Sequence, residues 1–125
     1  MKMVYVASPY SHKNFFVRLH RFYKITKIAA LLYKKYRICM FLPITQSALM
    51  QFLVPSIGGT FAEWKDVDLA AIDRCDEVWV IMMKGWNKSI GVLAEIEYAS
   101  RNKPIKYIDP EFLGTVWTIY PESAH

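Results

Sequence analysis

The first half of this sequence contains no acidic residue, since the first Asp or Glu along the chain is Glu63. The 125 residues carry 16 Lys and Arg against 11 Asp and Glu, a formal net charge of +5. A cluster of basic residues falls within one predicted helix or just past its end: Arg18, Arg21, Lys24, Lys27, Lys34, Lys35 and Arg37. A solvated helix face is the first interpretation, and a positive field that attracts nucleotide substrates is the second. Specific nucleic-acid binding is not expected, because no nucleic-acid-binding motif accompanies the charge.

Other features that the sequence lacks exclude further classes of protein. No apolar run reaches the roughly 18 residues needed to cross a bilayer, and the N-terminus lacks the basic and apolar regions of a signal peptide, so no membrane partner is expected. Cys39 and Cys75 lie in or beside predicted strands, which predicts buried free thiols and makes the cytoplasm the default compartment. No Cys, His or acidic cluster has metal-ligand spacing, so neither a metal ion nor another cofactor is expected. The glycines form neither a GxGxxG motif nor a P-loop.

The apolar pattern alternates between the periods of strands and helices along the chain. Strands are predicted at 3–7, 38–42, 77–83 and 105–108, and helices at 13–36, 61–74 and 91–102. Residues 44–60 suggest a short helix followed by a break at Pro55 and Gly58-Gly59, and 115–120 a possible edge strand.

This alternation predicts an α/β fold in a single domain that spans residues 1–125. The expected architecture has three layers, α/β/α, with a mostly parallel sheet of four or five strands that is doubly wound and flavodoxin-like. In such sheets ligands bind at the carboxyl ends of the strands. The loops at 8–12 and 85–91 both lie at those ends.

The junction between the strand at 77–83 and the following helix is the most informative segment. Ser89 and Gly91 lie where the helix begins, and free backbone N–H groups there form an anion site. Glu95 follows one turn later. Glu97 has Arg101 four residues on, the spacing of a surface ion pair, so Glu95 is the better candidate for facing the cleft.

Polar residues elsewhere are weaker candidates. Asp68 lies in the middle of a helix among apolar residues. Ser8, Tyr10 and Ser11 offer hydroxyl groups in a loop, as turns often do, and His12 beside them is either a phosphate ligand or part of the turn.

Four sequence elements in this order resemble the nucleoside 2-deoxyribosyltransferase superfamily over about residues 3–108. The resemblance includes its small uncharacterised bacterial and phage branch and the 2′-deoxynucleoside 5′-phosphate N-hydrolases. The elements are residues 4–12 (VYVASPYSH), Arg21, Asp68-Leu69 followed by residues 75–78 (CDEV), and Gly85-Trp86 with Ser89-x-Gly91-x-x-x-Glu95 and Ala99.

The resemblance implies a role for three side chains. Glu95 would be the nucleophile that attacks C1′ of the sugar and forms a covalent glycosyl intermediate. Asp68 would assist proton transfer near the base, and Tyr5 would orient Glu95. Cleavage of an N-glycosidic bond passes through an oxocarbenium-like state, which a carboxylate on one face and a proton donor near the base both stabilise.

Ser89 favours one substrate class within this superfamily. Deoxyribosyltransferases carry an aspartate at this position, which accepts a hydrogen bond from a free 5′-hydroxyl. An aspartate would repel a 5′-phosphate, whereas a serine hydroxyl beside the Gly91 N–H would bind one. Arg21 and the loop with Ser8, Ser11 and His12 are further phosphate-binding candidates.

The favoured hypothesis is therefore a glycosidase that hydrolyses the base–sugar bond of (deoxy)nucleoside 5′-monophosphates. The alternatives are a deoxyribosyltransferase that exchanges bases and a nucleotide-binding sensor without turnover. Tyr10, Gln46, Trp64 and Trp86 are candidates for contact with the base, although burial in the core is the commoner fate of such tryptophans. The resemblance also implies a homodimer or higher oligomer, for which the apolar stretch at 49–54 would provide an interface.

Overall fold

The structure is a computed structural model. It describes residues 1–111 and, for the backbone alone, residues 116–119. Strands and helices alternate as the sequence predicts. The strands are β1 (Met3–Ala7), β2 (Cys39–Phe41), β3 (Glu77–Ile81), β4 (Ile105–Ile108) and β5 (Val116–Ile119). The helices are α1 (Phe15–Tyr36), α2 (Pro43–Leu53), α3 (Phe61–Arg74) and α4 (Ile90–Ala99), with short 3-10 turns at Pro55–Ile57 and Trp86–Lys88.

Local chemistry determines where the helices begin. Asn14, Thr60 and Ser89 each accept a hydrogen bond from a backbone N–H in the first turn of α1, α3 and α4. Such side chains satisfy donors that have no partner within the helix. Pro43 begins α2, where its missing N–H costs nothing.

The sheet has the strand order β2-β1-β3-β4-β5. The first four strands are parallel, and β5 pairs antiparallel with β4 at the edge. This is the flavodoxin-like order, in which the chain reverses direction across the sheet between β1 and β3. The fold class and the edge strand predicted from the sequence are confirmed; Thr115 and Tyr120, the ends of the predicted range 115–120, lie outside the described residues.

Each face of the sheet carries its own apolar cluster. On one face α1 and α2 pack over Val4, Val6 and Trp79, and on the other α3 and α4 pack over Tyr5, Ala7 and Val80. Side chains of a strand alternate between the two faces, so Tyr5 lies beneath α3 and α4. The fold therefore directs Tyr5 toward the two helices that carry Asp68 and Glu95.

The cysteines differ from the expectation in one respect. Both are free, and Cys75 is buried, but Cys39 is exposed. Cys39 begins β2, which is an edge strand, and only β1 pairs with it in the described part of the sheet. The end of an edge strand is poorly covered, so the prediction of a second buried thiol was wrong.

Candidate active site

Three polar side chains meet beneath the carboxyl end of the sheet. Tyr5 on β1 is completely buried, while Asp68 on α3 and Glu95 on α4 are 8% and 6% exposed. The Tyr5 ring stacks on Phe41 of β2 at a centroid distance of 5.7 Å, which fixes the plane of the phenol. Two carboxyl groups and one hydroxyl thus share a site that is largely closed to water.

Some buried polar groups of this site have no hydrogen-bond partner in the described part of the protein. Among the described residues, the buried side-chain polar atoms without a hydrogen-bond partner are Tyr5 Oη, Ser8 Oγ and Glu95 Oε2. Tyr5 Oη approaches both carboxyl groups closely enough to affect their ionisation, yet neither contact has the geometry of a formed hydrogen bond. Buried groups in this condition are rare and are concentrated at functional sites.

Burial also changes the ionisation of these groups. It raises the pKa of Glu95 to about 8, with a smaller contribution in the same direction from the charge on Asp68, while the Tyr5 hydroxyl opposes the rise. It raises the pKa of Asp68 to about 6, again against the influence of Tyr5. Between these values the pair holds one proton and one negative charge.

Tyr5 remains a donor under the same conditions. Burial, and then the charges of Glu95 and Asp68, raise the pKa of Tyr5 well above its usual range. The hydroxyl is therefore protonated wherever the carboxyl groups titrate. A neutral phenol between two acids can donate to whichever of them is ionised.

A cavity of about 1340 Å³ opens above the two carboxyl groups. It lies between the loop after β1, the first turns of α1, the inner face of α2, the start of α3 and the loop before α4. Asp68 and Glu95 both line it, as do Ser8, Tyr10, Ser11, His12, Arg21, Trp64, Ser89 and Gly91. Ten residues predicted from the sequence are thus brought to one cleft.

Arg21 connects the two loops that form one side of the cavity. Its Nη1 donates to Ser11 O at 2.9 Å, and its Nη2 lies 3.2 Å from where a Cβ of Gly85 would stand. Gly85 has φ +90°, a conformation that favours glycine. Because Gly85 has no side chain, the guanidinium of Arg21 can lie against the loop that leads to Ser89.

Ser89 and Gly91 form the N-terminus of α4. Ser89 Oγ accepts a hydrogen bond from Val92 N at 3.3 Å, which makes Ser89 the N-cap. A Cβ on Gly91 would stand 3.3 Å from the Phe61 ring. A side chain here would displace Phe61 and narrow the cavity beside the free N–H groups of the helix.

Two predicted base-binding residues do not line the cavity. Gln46 is exposed on α2, on a side of that helix that does not face the cleft, whereas its neighbours Ser47 and Gln51 do. Trp86 packs in the cluster beneath α4, with its ring 5.7 Å from that of Tyr107. Trp86 is half-buried and packs against the core instead of facing the cleft. Tyr5 does not line the cavity either, because it lies below the carboxyl groups.

Several cavity residues had no role assigned from the sequence. They include the cations Lys13, Arg18, Lys65 and Lys88, and Ser47 and Gln51 of α2. Arg18 could have been found, because it precedes Arg21 by three residues on a helix and shares its face. Ser47 and Gln51 could not, because the sequence left the start and the orientation of α2 undetermined.

A family model described as "Domain of unknown function (DUF1937)" matches residues 2–108. The chain belongs to this family. The match spans β1 to β4, so the DUF1937 domain contains all the residues of the candidate site. None of the curated proteins compared with the chain matches its sequence.

The DUF1937 domain is similar in structure to a 2-deoxyribosyltransferase from the psychrotolerant bacterium Bacillus psychrosaccharolyticus. The TM-score is 0.54, the sequence identity is 18%, and the similarity covers 86% of this chain and 72% of the other. At this identity the comparison establishes the fold. The resemblance seen in the sequence is therefore confirmed as a shared fold, the fold of an enzyme that its description names a deoxyribosyltransferase.

Proposed function

We propose that this protein is an N-glycosidase that hydrolyses the base–sugar bond of (deoxy)nucleoside 5′-monophosphates. One observation carries the proposal: two buried carboxyl groups that share one proton near neutral pH lie beside a buried hydroxyl, under a cationic cavity. Glycosidases use a pair of carboxyl groups, of which one acts ionised and the other protonated.

In the first step, ionised Glu95 attacks C1′ of the sugar. A bond forms between a carboxylate oxygen and C1′, while the C1′–N bond breaks and its electron pair stays with the base. Protonated Asp68 gives its proton to the departing base. The hydroxyl of Tyr5 donates to the carboxyl groups and holds them in place.

In the second step, water releases the sugar. Its oxygen attacks C1′, the bond to Glu95 breaks, and the proton of the water passes to the carboxylate of Asp68. The products are the free base and the sugar 5-phosphate, and both side chains return to their starting states. A 2′-deoxy sugar forms the oxocarbenium-like transition state more readily than a ribose.

The rim of the cavity favours a 5′-phosphate. Ser89 and the N–H groups at the start of α4 provide neutral donors, and Arg21 stands beside the same loop with a positive charge. Helix N-termini and arginines are common phosphate ligands. We propose that Ser8, Ser11 and His12 complete this phosphate site, and that Tyr10 and Trp64 contact the base.

Two other functions fit the same fold. A deoxyribosyltransferase, supported by the description of the similar structure, would release base only when an acceptor base is supplied. A nucleotide sensor would bind nucleotides without cleaving them, which calorimetry would show as saturable binding with no base release over hours.

The test is incubation of the protein with each deoxynucleoside monophosphate, with and without an added base, followed by chromatography for free base. Hydrolysis without an acceptor supports the proposal, and exchange that needs one supports the transferase. Glu95→Gln should lower the rate by about 10³-fold or more, because the amide cannot form the covalent bond to C1′. Release that survives this substitution would remove Glu95 from its role.

We also propose that the protein is a homo-oligomer. Two helices that pack against each other both expose large apolar side chains, which we call the apolar patch: Phe15, Phe16 and Leu19 on α1, and Leu49, Phe52 and Leu53 on α2. Such a patch is typical of an interface. Its edge, at Phe15 and Phe52, lines the cavity.

We also propose a cytoplasmic location, with which the free thiols of Cys39 and Cys75 agree. In the described part of the chain no helix is long and apolar enough to span a membrane.

A further inference from the structure

The cavity carries more positive charge than a single phosphate requires. Five cations line it, Lys13, Arg18, Arg21, Lys65 and Lys88. The ion pairs within the described residues involve Lys2, Lys24 and Lys106, and none of these five. Lys13, Arg18 and Arg21 lie in the half of the chain that has no acidic residue, so a carboxylate could reach them only from the other half, as Glu77 and Glu111 reach Lys2 and Lys24.

The acids of the cavity offset only part of this charge. Among the described residues, Asp68 and Glu95 are the acidic side chains that line it, and burial keeps one proton on the pair near neutral pH. A phosphomonoester brings about two negative charges at pH 7. About two of the five positive charges would still be uncompensated with a monophosphate bound.

Hydrogen bonds fix the guanidinium of Arg18 beside the proposed phosphate site. Its Nη1 donates to the carbonyl oxygens of His12 and Lys13, the latter at 3.2 Å, which fixes the guanidinium against the loop after β1. The hydrogen bonds that Arg18 and Arg21 make to described residues use only Nη1 of each. The remaining N–H groups of both guanidiniums are thus available to a ligand.

The size of the cavity agrees with a larger ligand. At about 1340 Å³ it exceeds the 300–1,000 Å³ that is usual for small-molecule sites. Arg18 lies one helical turn before Arg21 on the same face of α1, so its position extends the row of donors away from the start of α4.

We propose that Arg18 and Lys13 form a second anion subsite next to the phosphate site at Arg21 and Ser89. The ligand it fits is a nucleotide with a second phosphate group. This inference rests on the proposed function, because it places the first phosphate where that function requires it. A second phosphate can extend the 5′-phosphate into a diphosphate, or stand on the 3′-hydroxyl.

Calorimetric titration distinguishes these cases. The probes are a deoxynucleoside 5′-monophosphate, the corresponding 5′-diphosphate and the 3′,5′-bisphosphate. We expect one of the two doubly phosphorylated probes to bind the wild-type chain at least about 10-fold more tightly than the monophosphate, as one or two charge-assisted hydrogen bonds would give. The probe that gains affinity identifies the position of the second phosphate. Equal affinity for all three would overturn the inference.

Substitutions locate the subsite. Arg18→Gln and Lys13→Gln should each remove most of the gain and change monophosphate binding less than about 3-fold, because the first phosphate retains Arg21. Lys13 is the safer variant, since its side chain makes no hydrogen bond or ion pair to the described residues. Arg18→Lys should keep part of the gain. Lys27→Gln is the control, because it removes one positive charge from a part of α1 that does not line this cavity. It should leave the gain in affinity from the second phosphate unchanged.

Base release, measured on the same samples, separates the two proposals. If monophosphates are hydrolysed but the second phosphate gives no gain, the subsite is refuted and the proposed function stands. If the gain is present and depends on Lys13 but no base is released, the subsite stands and the glycosidase is refuted. A gain that survives both substitutions would also refute the subsite.

Discussion

At the scale of single residues, the ionisation of Glu95 and Asp68 controls what the site can do. Both side chains are buried, and both have a raised pKa because the charged form loses its hydration. The active form proposed above has Glu95 ionised and Asp68 protonated. The order of the two pKa values favours the other arrangement, with the shared proton on Glu95, so the active form is the less populated of the two arrangements between the two titrations.

The rate of base release should therefore depend on pH in a bell-shaped manner, with limbs near about 6 and about 8. Below the lower limb both carboxyl groups are protonated, so the nucleophile is lost. Above the upper limb both are ionised, so the proton donor is lost. Rates measured from pH 5 to 9 test this. The pH–rate profile of Asp68→Asn should show a single titration. A bell-shaped profile like that of the wild type would contradict the assignment of Asp68 as the proton donor.

Glu95 should also cost stability at neutral and higher pH. Because folding raises its pKa from 4.5 to about 8, the folded state binds more protons than the unfolded state between these values. The free energy of unfolding then falls as the pH rises through this range. Glu95→Gln should be more stable than the wild type by on the order of 1–3 kcal/mol at pH 8 and nearly equal to it at pH 5. Urea unfolding at both pH values measures this.

The exposed acid Glu97, two residues further along α4, offers the matched control for that experiment. Glu97→Gln should follow the wild type across the same range, since its side chain stays in water. A pH-independent difference between Glu95→Gln and the wild type would show that burial of the carboxyl group is not the cause.

Sequence reasoning placed Glu95 correctly in the cleft and Glu97 outside it, because two residues on a helix differ by about 200° in direction. Its assignment of Asp68 to the same cleft relied on the family resemblance, since one acid among apolar residues has several explanations. The position of Gln46 could not be predicted from the sequence. Whether position 46 or 51 faces the cavity depends on the rotation of α2, and packing against α1 and the sheet determines that rotation.

At the scale of helices and strands, most of the fold follows from periodicity and helix caps. The first helix begins at Phe15 rather than residue 13 because Asn14 is its N-cap. The third strand ends at Ile81, two residues earlier than predicted, where Met83 N turns back to bond Ile81 O. Such ends depend on hydrogen bonds that an apolar pattern does not reveal. The α2 segment was ambiguous because an apolar run beside proline and glycine fits several structures.

The N-cap of α4 should matter for binding as well as for stability. Ser89→Ala removes the hydrogen bond to Val92 N and one phosphate donor, so we expect a loss of about 1 kcal/mol in stability and an increase in KM for the nucleotide. Asn14→Ala removes the equivalent cap of α1, which accepts from Phe16 N at 2.8 Å and does not line the cavity. It should lose similar stability with little change in KM. An equal rise of KM in both variants would argue against a phosphate role for Ser89.

At the scale of the whole molecule, charge and apolar surface are distributed unevenly. The acid-free first half provides β1, α1 and α2, and therefore one wall of the cavity and the exposed apolar patch. The two acids of the candidate site come from α3 and α4, on the other face of the sheet. The cleft thus lies between a cationic half and the half that provides both carboxyl groups.

The apolar patch predicts self-association. Leu49 and Leu53 of α2 are 60% and 66% exposed, which is costly for large apolar side chains unless another molecule covers them. Size-exclusion chromatography with light scattering should give a mass of at least two chains. Leu53→Glu should reduce it to that of one chain, whereas Leu93→Glu on α4, in the opposite layer, should not. A wild-type monomer at micromolar concentration would refute the interface.

The proposed mechanism requires Glu95 to form a covalent bond with C1′ of a nucleotide. Rapid quenching of the protein during turnover of a deoxynucleoside monophosphate, followed by digestion and mass spectrometry, tests it directly. We expect the peptide containing Glu95 to gain the mass of a deoxyribose 5-phosphate residue, and Glu95→Gln to show no such gain. Release of base with no adduct on any peptide, at a rate that Glu95→Gln does not change, would contradict it.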